Sequence, residues 1–158
     1  MSSMQVRQSD IRAAKAFYVG EWVGGLLYKG YAGGVDNTDV AHHIRRMGRE
    51  EHSHSRWYEA WLEERGHRAP DLVRTEQYVV PALNRLFAPR SLEAQLKGFA
   101  MGESAAANHL GALAARIHDP ELRSIVEKTI PFEAAHAEWF REQGPRMLRP
   151  VDRKARWR

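Results

Sequence analysis

Two short stretches of the sequence place a glutamate three residues before a histidine. They are Glu51-His52-Ser53-His54 and Glu133-Ala134-Ala135-His136. On a helix this spacing puts both side chains on one face, one turn apart. A further glutamate lies 30 positions upstream of each pair, Glu21 before the first and Glu103 before the second. Carboxylate oxygens and imidazole nitrogens are both metal ligands, so the repeated spacing indicates a metal site.

These ligand-type residues interrupt stripes that are otherwise apolar and follow helical periodicity. The stripe through Glu51 and His54, for example, runs from Val40 to Trp61 and is otherwise largely apolar. Burying four carboxylates without partners would be very costly, because each charge loses its hydration. Two divalent cations would balance the four charges. The pattern therefore predicts a dinuclear centre inside a helical bundle.

The same periodicity predicts four long helices and an all-α fold. Ser9 or Asp10 is expected to cap the first helix, Gly66 to end the second and Pro131 to kink the fourth. The second and third helices are joined by a long crossover over residues 67–90, which we expect to be helical but split at Pro81. The predicted helices span about 9–33, 39–65, 91–117 and 119–143, which gives a bundle domain over residues 1–144 and a basic tail over 145–158.

One glutamate from each of two helices, with Glu-x-x-His from each of the other two, resembles the ferritin-like di-iron carboxylate superfamily. The resemblance extends from Glu21 to His136, which is most of the chain. It implies a ferritin-like four-helix bundle that holds two Fe ions, although Mn or a mixed Fe/Mn pair also fits the ligands. The ligand roles that it implies are bridging for Glu51 and Glu133, terminal for Glu21 and Glu103, and one nitrogen to each metal from His54 and His136.

Small residues follow both upstream glutamates by one helical turn. Gly24 and Gly25 follow Glu21, and Ala106 and Ala107 follow Glu103. They could allow close helix packing, or they could leave a cavity beside the metals for O₂ and a small apolar substrate. The other side chains expected to line such a cavity are Phe17, Tyr28, Phe99 and Leu110.

Composition excludes several alternatives. The chain has no cysteine, which excludes disulfides, iron–sulfur clusters and Cys₄ metal sites. It has no apolar run near the roughly 20 residues of a membrane span and no signal-peptide pattern at its start, so we expect a cytoplasmic protein, or one peripheral to a membrane. The basic tail is expected to be solvated, with contact to an anionic membrane or to a nucleic acid as the alternatives.

The branch of the superfamily is less clear from the sequence. Rubrerythrin-type peroxidases carry an extra ligand glutamate where this chain has Ala106. A weaker resemblance, to the demethoxyubiquinone hydroxylase family, rests on Gly20-Glu21, the Glu-x-x-His pairs and an apolar crossover containing proline. Asn84 and Arg85 interrupt that crossover, which puts a quinone substrate in doubt.

From these features we predict a non-haem di-iron oxygenase or oxidase that activates O₂ to hydroxylate or oxidise a small apolar molecule. The resemblance implies a separate electron donor, because the chain carries no flavin or iron–sulfur motif, and it is compatible with a homodimer. The alternative is a ferroxidase, iron-storage or peroxide-detoxifying protein. Glu50 and His109 are candidates for outer hydrogen-bond partners of the metal ligands, although solvent exposure is expected for Glu50, as it is for His52.

Overall fold

A computed structural model describes residues 6–73, 76–78, 81–82, 85 and 91–147 of the 158-residue chain. All regular structure within these ranges is helical, so the predicted all-α, ferritin-like class is confirmed. None of the helices in the described ranges is long and apolar enough to cross a lipid bilayer. The long helices are α1 (Gln8–Gly33), α2 (Thr38–Glu64), α3 (Leu92–Ala114) and α4 (Pro120–Glu138).

Short polar side chains start three of these helices. Asn37 accepts hydrogen bonds from Asp39 N and Val40 N at the start of α2. Ser91 and Asp119 cap α3 and α4 in the same way. These bonds satisfy backbone N–H groups that the first helical turn leaves free. At the other end of α2, Gly66 has φ +72°, a left-handed conformation that favours glycine, as predicted for the residue that ends this helix.

The expected cap of α1 is wrong. The residue before the helix is Arg7, and no side chain caps the helix start. The buried carboxylate of Asp10 instead accepts hydrogen bonds from His118 N at 3.2 Å and Asp119 N at 2.9 Å. Asp10 therefore joins the start of α1 to the turn between α3 and α4. Sequence spacing does not reveal this contact, because the partners are more than 100 residues apart.

The four long helices form two hairpins, α1 with α2 and α3 with α4. Side chains join the hairpins across the bundle, for example Tyr28 of α1 with Phe99 of α3, whose ring centroids are 5.3 Å apart. Their buried residues form two apolar clusters. One cluster includes Tyr28, Ile44, Leu96 and Phe140, and the other includes Phe17, Tyr58, Leu110 and Val126.

Helices α1, α2 and α3 each contribute to both clusters, while α4 contributes to one cluster and the turn Trp139–Gln143 that follows it contributes to the other. In each case the metal-ligand-type residues lie between the two clusters in sequence. In α1, for example, Glu21 lies between Tyr18 of one cluster and Tyr28 of the other. The candidate ligands therefore form a polar layer across the middle of the bundle, with an apolar cluster on either side.

The fourth helix continues through Pro131 and is followed by a π-helical turn (Trp139–Gln143) and a short helix, α5 (Gly144–Met147). Glu133 lies two residues after Pro131 and is only 4% exposed. The proline therefore does not turn this carboxylate away from the core. The irregularity in this part of the chain occurs instead after His136, and π-helical turns are frequent beside functional sites.

Part of the predicted crossover and most of the basic tail lie outside the described residues. Within residues 67–90, positions 73, 76–78, 81–82 and 85 are helical. The predicted split at Pro81, the interruption at Asn84 and the tail after residue 147 stay sequence predictions.

We expect Asp10→Ala to lower the free energy of unfolding by about 1–3 kcal/mol, because it removes the acceptor of two partly buried N–H groups. Urea unfolding followed by circular dichroism would measure this loss. Asp36→Ala is a suitable control, because Asp36 is an exposed loop residue. Equal stability of the two variants would show that the Asp10 contact contributes nothing.

Candidate metal centre

The structure brings all six predicted metal-ligand residues together. They form two groups, Glu21, Glu51, His54 and Glu133 in one, and Glu51, Glu103, Glu133 and His136 in the other. Within each group one candidate ligand atom from every residue lies within 4.8 Å of all the others. Glu51 and Glu133 belong to both groups, which is the arrangement expected of ligands that bridge two metal ions.

The first group joins the two helices of the first hairpin. Glu21 lies on α1 and His54 on α2, and their Oε2 and Nδ1 atoms are 3.1 Å apart. Both side chains are buried, at 6% and 1% exposed. Each lies at the point where its helix crosses the bundle centre, so the separation of 33 residues in sequence becomes a direct contact.

The second group surrounds His136 on α4. Its Nδ1 atom lies 3.2 Å from Glu51 Oε1 and 3.8 Å from Glu103 Oε2. Its Nε2 atom lies 2.9 Å from Glu50 Oε2, on the side away from the other carboxylates. Since a carboxylate accepts, Nε2–H donates to Glu50. In the neutral imidazole Nδ1 then carries the lone pair, and it is directed at the candidate ligands.

Several polar atoms at the centre are buried and, among the described residues, make no hydrogen bond of good geometry, although some of them lie close to one another. They are Glu51 Oε1, Glu103 Oε2, Glu133 Oε1 and His136 Nδ1. Buried polar atoms are nearly always satisfied in native proteins, so each orphan requires an explanation. All four belong to the second group, and all are potential ligand atoms. Two metal ions would satisfy them, so the residues present fit a dinuclear centre of oxygen and nitrogen ligands.

The carboxylates disfavour their charged forms when no metal is bound. Burial raises the pKa of Glu21 to about 7, although the hydrogen bond to His54 opposes this. Burial, followed by the hydrogen bond to Glu103 and nearby negative charges, raises the pKa of Glu133 far above its ordinary value. Burial lowers the pKa of His136, but hydrogen bonding to neighbouring carboxylates outweighs burial and raises it to about 10. All three groups therefore hold their protons more tightly than in water, as expected where closely spaced carboxylates lack enough positive charge to balance them.

A cavity of about 410 Å³ opens onto this centre. All four terminal and bridging carboxylates line it, and Gly24 and Ala106 lie on its wall as predicted. Phe17 and Leu110 contribute apolar surface, and His109 lies at an exposed edge rather than against a ligand. The complete lining is Ala13, Ala16, Phe17, Gly20, Glu21, Gly24, Glu51, Glu103, Ala106, His109, Leu110, Leu113 and Glu133.

The other predicted cavity residues lie elsewhere. Tyr28 and Phe99 pack against each other and against Phe140 within an apolar cluster. Ala107 is half-buried and does not line the cavity. Gly25 packs against α2, where an added Cβ would lie 3.0 Å from Gly48 O and would overlap the His52 ring. Adjacent glycines thus have different roles, because successive helical positions point about 100° apart.

Gly24 makes room for a candidate ligand. A Cβ atom added to Gly24 would lie 2.6 Å from Glu51 Oε2, closer than side chains normally approach. The Glu51 carboxylate would therefore have to move from its present position if Gly24 carried a side chain.

Two features near the centre, Glu50 and His52, differ from the sequence predictions. Glu50 was expected to be solvated, but it is 30% exposed in its side chain and bonds to His136. His52 was expected to face solvent, but it is partly buried and stacks on Trp22 with ring centroids 6.4 Å apart. Trp57 is 37% exposed and lies beside His54. The acidic pair Glu50-Glu51 was the available signal for Glu50, since an acid next to a ligand can reach the opposite helix.

Comparison with known proteins gives one match. A family model described as Rubrerythrin matches residues 14–143, which include all six candidate ligands. Neither a curated protein nor a solved structure matches the chain.

We expect the metal-free protein to lose stability as pH rises from about 4.5 to about 7. Glu21 has a higher pKa in the folded state than in the unfolded chain, so folding favours its protonated form, and that advantage disappears as pH passes the folded pKa. The loss should be on the order of 1–3 kcal/mol. Urea unfolding in EDTA across this range measures it. Stability that is constant or rises with pH would contradict the expectation.

We expect Gly24→Ala to reduce the metal content, because the new Cβ displaces the Glu51 carboxylate. Metal per chain can be measured by mass spectrometry after anaerobic loading with Fe²⁺. Gly98→Ala is the matched control, since it lies in α3 and an added Cβ there meets nothing within 4 Å. Equal metal content in the two variants would show that the space at Gly24 is not needed.

Proposed function

This chain belongs to the rubrerythrin family, part of the ferritin-like di-iron carboxylate superfamily, and from this premise we propose that it is a non-haem di-iron oxidoreductase that oxidises or hydroxylates a small apolar molecule. The observation that carries the proposal is the cavity that opens directly onto four carboxylates of the candidate metal centre. An oxidant formed at the centre would meet a bound molecule there without crossing the protein.

The proposed metal ligands follow from the two groups of the centre. Glu51 and Glu133 would bridge the two ions, because they belong to both groups. Glu21 and His54 would complete the first position, and Glu103 and His136 would complete the second. Two divalent cations would neutralise the four carboxylates, and oxygen and nitrogen ligands without thiolates suit iron or manganese. The family favours iron, with manganese or a mixed pair as alternatives.

Bound iron supplies one-electron redox chemistry with O₂ or peroxide. The residues of the chain supply the remaining requirements. Phe17, Leu110 and Leu113 give the cavity wall apolar surface, which binds apolar molecules and limits water at the centre. Ala106 and Gly24 keep the space beside the carboxylates open. Glu50 orients His136 through its Nε2–H.

The proposed reaction needs electrons from outside the chain. The sequence contains no cysteine for an iron–sulfur cluster. We therefore include a separate electron-donor protein in the proposal. O₂ and a small apolar organic molecule are the proposed substrates, and a homodimer remains compatible with the proposal.

A second function is favoured by the family match. Rubrerythrin-type peroxidases reduce peroxide, and related ferritin-like proteins oxidise Fe²⁺ for storage or detoxification. Ala106 stands where the peroxidases carry an extra ligand glutamate, and it borders the cavity here. Because an alanine at this position leaves space where the peroxidases have a metal ligand, we prefer oxidation of an organic molecule as the function.

A cavity-filling substitution separates the two functions. We expect wild-type protein and Ala106→Phe each to bind close to two Fe²⁺ per chain, because the substitution changes a cavity wall rather than a ligand. Ala106→Phe should lose most of the binding of a co-purifying or screened apolar ligand, measured by mass spectrometry of the native protein. Ala105→Phe is the control, because Ala105 is exposed on the same helix and does not line this cavity.

The rates at which O₂ and peroxide reoxidise the reduced, iron-loaded protein distinguish the two functions. If peroxide reoxidises it far faster than O₂ does, and Ala106→Phe leaves that rate unchanged, peroxide reduction replaces the proposed function. A shell of 12 or 24 subunits that accumulates iron mineral would point to storage. If wild-type protein binds no iron or manganese under reducing, anaerobic conditions, both functions fail.

A further inference from the structure

The candidate centre is built from an internal duplication with a constant offset. Adding 82 to the residue number relates Glu21 to Glu103, Glu51 to Glu133 and His54 to His136. The same offset relates Glu50 to Phe132, the residues directly before the two bridging glutamates. The six candidate ligands are thus the same in both halves, while the residues directly before the two bridging glutamates differ.

Glu50 and Phe132 occupy equivalent places in the folded chain. Glu50 lies on α2 and reaches His136 on α4, with 2.9 Å between Oε2 and Nε2. Phe132 lies on α4 and reaches His54 on α2, with 4.7 Å between ring centroids. Each residue therefore contacts the histidine of the opposite half. The two residues therefore occupy equivalent positions in the two halves, but one is a carboxylate and the other is a phenyl ring.

The two contacts have different effects on the histidines. A carboxylate that accepts a hydrogen bond from Nε2–H fixes the tautomer and the ring orientation of the histidine. Its negative charge also makes Nδ1 a more basic and therefore stronger metal ligand. A phenyl ring offers no such acceptor. His54 is instead packed between Phe132 and Trp57, whose ring centroid is 4.8 Å away. Among the described residues, the one hydrogen bond of His54 joins its Nδ1 to Glu21.

The contact between Glu50 and His136 is supported by a positive side chain on the same helix as Glu50. Arg46 lies one turn earlier on α2, and its Nε is 3.6 Å from Glu50 Oε1. The other carboxylate oxygen remains directed at His136. Glu50 is thus held between a guanidinium and an imidazole at the position where it orients His136.

We propose that the two metal positions have unequal affinities, and that Glu50 is the positioning residue that makes the position of Glu103 and His136 the tighter one. This inference rests on the proposed dinuclear centre. The other metal position, held by Glu21 and His54, has Phe132 beside His54 instead of a carboxylate. It therefore fills second and releases its ion more readily. Outer partners of metal-bound histidines typically change affinity by about 10–100-fold, which sets the expected difference.

The test is a titration of metal-free protein with Co²⁺, followed by the visible absorbance of the bound ion. Wild-type protein should bind two ions in two steps. Glu50→Ala should weaken the first step by about 10–100-fold and leave the second nearly unchanged, so that the two steps merge. Phe132→Glu should strengthen the second step, because it provides the missing carboxylate. Glu63→Ala, an exposed change on α2, serves as the control and should behave as wild type.

Ligand substitutions assign the steps. His136→Ala should remove the tight step, and His54→Ala should keep it. Circular dichroism of each metal-free variant establishes that it remains folded, and a general structural defect would weaken both steps together. Two equal steps in wild-type protein, or a first step that Glu50→Ala leaves unchanged, would overturn the inference while the dinuclear centre stands. Absence of Co²⁺, Fe²⁺ and Mn²⁺ binding in the wild type would instead overturn the proposed function.

Discussion

The structure depends on one electrostatic constraint, the burial of four carboxylates in a layer between two apolar clusters. Charged groups are costly in such a place unless their charge is balanced. In the metal-free chain the balance is reached by raised pKa values, which keep carboxylates such as Glu133 protonated. Two bound cations would instead balance the charge while the carboxylates remain ionised. The folded chain therefore provides a site whose electrostatic cost is removed by metal binding, which couples metal affinity to stability.

This constraint also explains the arrangement of the helices around the layer. The apolar clusters at the two ends hold the four helices together, while the central layer contributes little hydrophobic stabilisation. Contacts such as Asp10 with the α3–α4 turn, and Trp61 Nε1 with Asp119 at 3.1 Å, join the hairpins at one end. The packed ends thus hold together a centre in which several buried carboxylate oxygens and one imidazole nitrogen make no hydrogen bond of good geometry among the described residues.

Much of the fold and the set of candidate ligands could be predicted because both depend on helical periodicity. A residue such as Glu103 on an apolar stripe must point inward, and the duplicated spacing identified all six side chains that the structure brings together. Contacts between helices could not be predicted in this way. The opposite roles of Gly24 and Gly25, and the contact of Glu50 with His136, depend on how two helices rotate against each other. Periodicity predicts which face of its helix a residue lies on, but not which residue of another helix it contacts.

The duplication has a consequence for how such a centre can diverge. If each hairpin were a separate, identical chain, a two-fold dimer would carry the same residue at both equivalent positions, and Glu50 could not face His136 while Phe132 faced His54. Covalent linkage of the halves removes that requirement. Each half can then acquire substitutions independently. Even an unchanged pair lies in different surroundings, since Trp57 is 37% exposed whereas its counterpart Trp139, at the start of the π-helical turn, is 5% exposed. A fused gene can therefore make its two sites specialise, whereas a symmetric ancestor could change them only together.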